Sequence, residues 1–120
     1  MEAGLMFRTA VVLLALTGAG GLLMAGLRFS GRPRPPHWMA MGHGLLAGSG
    51  LTLILYAGIV SGFPGGAALG LALLVVAALG GLMLNLRYHA NGLALPVWMV
   101  LVHAAIAVIG LVVLAVAVWK

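Results

Sequence analysis

Four nearly unbroken apolar runs, at about residues 9–27, 38–60, 66–86 and 97–119, constrain this chain more than any other feature. Each reaches the ~20 residues that an α-helix needs to cross ~30 Å of hydrocarbon. None carries a polar face along which it could meet water. The chain of 120 residues has one acidic side chain, Glu2, and only 6% of it is charged, where a soluble domain carries about 25%. The fold class implied is all-α and integral to the membrane: a four-transmembrane-helix bundle forming one domain over 1–120. The first run is longer than the ~7–15 residues of a signal-peptide core and an arginine-rich segment follows it, so an uncleaved span is expected.

Cysteine is absent, which removes disulfides, thiolate metal sites, iron–sulfur clusters and thiol nucleophiles. The net charge of +5 would suggest nucleic acid in a soluble protein. Here the basic residues flank the apolar runs, where anionic headgroups of the lipid bilayer and the positive-inside bias account for them, and no nucleic-acid partner is expected. No nucleophile–base–acid set is present, so a hydrolase or transferase is not expected.

Residues 1–8 read as a short amphipathic lead. The segment 28–36 holds three arginines and three prolines and cannot continue a membrane helix. An uncharged turn at 61–66 and a polar stretch at 87–96 separate the remaining runs. Arg28, Arg32, Arg34 and Arg87 flank one side of the bundle, Arg8 and Lys120 the other. That bias predicts both longer loops in the cytoplasm and both termini outside, in a bacterial inner membrane. Trp38, Trp98 and Trp119 fall at run ends, where aromatic rings prefer the headgroup level.

The stretch 36–51 returns 60 positions later as 96–111, with seven of 16 positions identical: Pro36/Pro96, Trp38/Trp98, Met39/Met99, His43/His103, Ala47/Ala107, Gly50/Gly110 and Leu51/Leu111. The same offset pairs Gly20-Gly21 with Gly80-Gly81, and gives 13 identities in 60 overall. Leucine and alanine matches come cheaply in such a composition; paired Trp, His, Pro and Gly-Gly do not. The pattern reads as a tandem duplication of a two-helix hairpin, 1–60 and 61–120, with both copies crossing in the same direction.

That reading puts His43 and His103 at equal depth, each seven residues after its proline, roughly 10 Å along its helix. The two glycine pairs lie in the same layer. At ~100° per residue, Met39, His43, Ala47 and Gly50 share one stripe, and Met99, His103, Ala107 and Gly110 repeat it. Trp38 and Trp98 point nearly the opposite way.

Two histidines at one depth suit bis-histidine ligation of a haem b, whose iron takes axial nitrogens on opposite faces of a flat macrocycle. In that reading Gly20, Gly21, Gly80 and Gly81 make room for the porphyrin. Arg28, Arg32, Arg34 and Arg87 meet its propionates, and Asn85 donates a hydrogen bond that holds one imidazole. A competing reading makes both histidines packing residues that hydrogen-bond between helices, and a third makes them ion or substrate contacts. Met39 and Met99 are alternative axial ligands. His37 reads as interfacial, near a propionate or a quinone, and His89 as a solvated loop residue.

The pattern of His43, His103, Gly20-Gly21 and Gly80-Gly81 over the whole chain resembles small four-helix membrane b-type cytochromes, of the cytochrome b561-like and membrane-anchor kinds. The resemblance implies a redox carrier rather than a stand-alone enzyme, exchanging electrons with quinone or with other membrane redox subunits, alone or as a homo-oligomer. Many such cytochromes hold four histidines for two haems; the outer half of this chain has none, so one haem is expected. Two other functions compete. A structural anchor subunit of a larger membrane complex fits the small size. A small proton-coupled transporter fits the helix number but lacks the intramembrane carboxylate such transporters use.

Overall fold

The structure, a computed structural model, describes residues 2–120. Four helices make up nearly all of it: α1 (Ala3–Phe29), α2 (His37–Ser61), α3 (Ala67–Met83) and α4 (Val97–Trp119). A π-helical segment, Leu84–His89, continues α3 without a break. All four are long and apolar enough to span a membrane. The molecule is 43 Å along its long axis, close to the ~40–45 Å of a bilayer with its headgroups.

Local chemistry sets the helix ends. Pro36 and Pro96 stand immediately before α2 and α4, positions at which no backbone N–H is needed. At the far end of α2, Gly62 has φ 79° and its N–H closes on the Gly58 carbonyl at 2.8 Å. Only glycine takes that backbone geometry without strain.

Two boundaries differ from those expected. Residues 3–8 are not a separate lead: α1 begins at Ala3, and Met6 and Phe7 are buried in the main core. They fall on the same stripe as Ala10, Val11 and Leu14, so burial of that stripe carries the helix past Arg8. At the other end of the chain's third run, the π turn carries helical backbone on to His89.

The helices run up and down in turn. α1 packs along α2 and α4, and α3 along α4, while α2 and α3 touch only lightly. The buried contacts recur at the 60-residue offset. Ile54 and Leu114 are both fully buried. Gly50 sits over Leu14, and Gly110 over Leu73 and Leu74. Without a Cβ at these positions the paired helices approach closely, which is the main attraction available between helices in lipid. The exterior is apolar, with Trp38 75% exposed and Ile59 73%. Surface of that kind, on every helix, belongs against lipid rather than water.

At one end the two longer loops are tied together. Arg28 donates Nε–H to the Leu95 carbonyl at 2.8 Å, the Leu95 N–H donates to the Pro33 carbonyl at 3.0 Å, and Arg34 donates to the Gly92 carbonyl at 2.6 Å. Below them Ala25, Leu84, Leu95 and Val100 form a second small core, with Tyr88 and Met99 packed against it. This end therefore holds the two hairpins in register, and the paired histidines lie just beneath it.

Candidate functional site

His43 and His103 face each other inside the bundle, both partly buried. Their ring centroids are 6.3 Å apart and their planes 71° from parallel. Each is held in the same way by the other helix of its own hairpin. His43 Nδ1 lies 2.9 Å from the Thr17 carbonyl on α1, and His103 Nδ1 lies 2.7 Å from the Ala77 carbonyl on α3. Both acceptors precede their histidine by 26 residues. A carbonyl oxygen can only accept, so each Nδ1 carries a hydrogen, and in the neutral imidazole it is Nε2 that keeps the lone pair.

The glycines explain how an imidazole reaches a helical carbonyl. Thr17 and Ala77 each stand four residues before a glycine, Gly21 and Gly81. A Cβ built at Gly21 would lie 2.9 Å from His43 Cε1, and one at Gly81 would lie 3.1 Å from His103 Cε1. Any larger residue would occupy the space the ring needs. The carbonyl can bond its own helix and the imidazole together because it has two lone pairs. The neighbouring glycines differ. A Cβ at Gly80 would make an ordinary 3.8 Å contact with His103 Nδ1, and one at Gly20 would meet nothing within 4 Å. Of the four glycines expected in this layer, Gly21 and Gly81 seat the histidines.

Neither Nε2 has a hydrogen-bond partner among the described residues, and neither is a sealed, unpartnered atom. Both therefore open onto accessible space. No group of three or more His, Cys, Asp or Glu side chains able to hold a metal ion occurs among the described residues. The pair thus offers two imidazole nitrogens, one from each hairpin.

The remaining expected site residues are spread around the loop end. Asn85 lies in the π segment and makes no side-chain hydrogen bond among the described residues; the atoms that orient the imidazoles are the Thr17 and Ala77 carbonyls instead. Arg28 and Arg34 are half-buried braces between the loops. Arg32 and Arg87 are exposed, the latter 5.5 Å over the ring of Tyr88. Met99 packs into the second core.

His89 is not a free loop residue as its surroundings in the sequence suggest. The π turn ends on it, half-buried, and its Nε2 donates to the Pro35 carbonyl at 2.9 Å. Its ring stacks on His37 with centroids 5.5 Å apart and planes 29° from parallel. Nothing in the order of residues pairs positions 37 and 89; the docking of one loop on the other does.

Compared with known protein families, characterised proteins and solved structures, the chain matches none of them.

Proposed function

We propose that the protein is a membrane electron-transfer subunit holding one haem b between His43 and His103. The observation that carries this reading is the pair of facing imidazoles, each with Nδ1–H fixed on a carbonyl and Nε2 left free. With 6.3 Å between their ring centroids, the two imidazoles are near enough to hold one group jointly. Among the described residues no further His, Cys, Asp or Glu joins the pair, so His43 and His103 would hold a metal that comes with its own ligand frame, such as a porphyrin. A haem held by His43 and His103 would supply one-electron redox chemistry.

The chain's own residues do the positioning. The Thr17 and Ala77 carbonyls fix the orientation of each ring. Gly21 and Gly81 leave room for the rings, and Gly20 and Gly80 keep the neighbouring wall thin. Arg28 lies seven residues after Gly21, hence on the same face of α1 and two turns nearer the loops. Arg28 is thus a cation that would meet a propionate on this face. In this reading the hairpins are duplicated copies, the arginine-bearing loops face the cytoplasm of a bacterium, and electrons pass to or from quinone or another redox subunit.

Membranes containing the protein are expected to show a reduced-minus-oxidised haem b spectrum, lost in His43→Ala and in His103→Ala. A colourless, well-folded protein from haem-replete cells refutes the reading. That result would favour a structural anchor subunit, for which the same hydrogen bonds serve only to lock each hairpin.

A further inference from the structure

The loop end carries a second cluster of functional side chains, outside the histidine layer. A cleft of about 410 Å³ is lined by Arg32, Arg34, His37 and His89 and walled by the prolines of the first loop. Its geometry is braced. Arg34 is anchored on the Gly92 carbonyl, His89 on the Pro35 carbonyl, and the two imidazoles stack on each other. Its polar side chains are thus two guanidinium groups and two imidazoles, a lining that offers donors and positive charge. α2 also starts here, with Pro36 giving no side-chain cap, so the helix adds its positive dipole end.

No carboxylate of the chain compensates this charge. The single acidic side chain, Glu2, precedes α1, roughly 40 Å from the arginine end of that 27-residue helix. A counter-charge at the cleft comes from outside these 120 residues.

We infer that this cleft binds the phosphate group of an anionic ligand, supplied in the membrane by a phospholipid headgroup. Arginine forks match phosphate oxygens in geometry and charge. Trp38, the residue after His37, is 75% exposed and acts as an interfacial anchor that sets the cleft at headgroup level. The site stands apart from the His43/His103 layer and does not depend on haem.

The test uses the full chain, purified in neutral detergent and stripped of lipid, titrated with dihexanoyl-phosphatidylglycerol, dihexanoyl-phosphatidylcholine or inorganic phosphate. Saturable binding of the phosphatidylglycerol, in preference to the zwitterionic lipid, is expected. Arg32→Gln, a change at an exposed side chain, weakens it about fivefold or more, while Arg8→Gln at the opposite end leaves it unchanged. Equal binding of inorganic phosphate, with the same Arg32→Gln loss, supports the phosphate site and assigns it to a soluble anion. Absence of saturable binding overturns the inference. So does binding that Arg32→Gln leaves intact, or that Arg8→Gln weakens equally.

Discussion

Substituting alanine for each glycine of the Gly20-Gly21 pair separates the seating of His43 from generic helix effects. Both residues lie inside α1, so each Gly→Ala change gains a similar helix propensity, about 1 kcal/mol in water. Only one meets the histidine. A Cβ at Gly21 would lie 2.9 Å from His43 Cε1, whereas one at Gly20 meets nothing within 4 Å. Carbon atoms rest at about 3.5–4.0 Å, so the imidazole has to retreat by roughly 0.6 Å or more. From 2.9 Å that carries the Nδ1–Thr17 separation to the edge of hydrogen bonding. Overpacking costs about 1–3 kcal/mol and the lost bond about 0.6 kcal/mol in a membrane protein. Gly21→Ala is therefore expected to be less stable than Gly20→Ala by about 2 kcal/mol. Reversible unfolding in mixed micelles measures the difference, and a double-mutant cycle with His43→Ala assigns it. Removing the imidazole should abolish most of the gap. Equal stabilities of Gly20→Ala and Gly21→Ala with His43 present, or a gap that survives His43→Ala, would show that Gly21 does not seat the ring. The equivalent penalty at Gly81 should be smaller, because its contact is 3.1 Å.

Other consequences follow from the same contacts. Thr17→Ala should leave the Nδ1-bound proton of His43 unshifted in an NMR spectrum, since the histidine bonds the main chain and Thr17 Oγ1 is committed to the Leu13 carbonyl. A Cβ at Gly70 would stand 2.8–2.9 Å from the backbone of Leu114, which cannot swing aside. Gly70→Ala should thus cost about 3 kcal/mol in unfolding measurements, while Gly26→Ala, in open space, should cost nothing. Arg28→Lys keeps the charge but removes the Nε–H that reaches the Leu95 carbonyl. It should release the 90–95 segment to limited proteolysis faster than the parent, and an unchanged cleavage rate would argue against the brace.

The spans, their number and the equal depth of His43 and His103 were legible from the order of residues alone. Twenty apolar residues in a row have few folded solutions, and a fixed 60-residue offset carries depth with it. The sidedness was legible too: Trp38 and Trp98 point outward, Gly50 and Gly110 inward, as helical periodicity requires. The early start of α1 was less visible, because Arg8 interrupts an apolar stripe that Met6 and Phe7 continue on the buried face.

What the chain's order could not disclose depends on which atoms meet across helices. The acceptors that orient His43 and His103 are main-chain carbonyls of Thr17 and Ala77, and a carbonyl leaves no mark in the side-chain pattern. Asn85 looked suited to that task by type, yet the partners of the two Nδ1 atoms are carbonyls. The division of labour within Gly-Gly, with Gly21 and Gly81 under the rings, depends on the rotation of α1 against α2 and of α3 against α4. The stack of His37 on His89 arises only because one loop docks on the other. Sequence determined depth and face, because these follow from the rise and period of a single helix; tertiary structure decided tautomer, contact and cleft, because these are set by the distance between two helices or two loops.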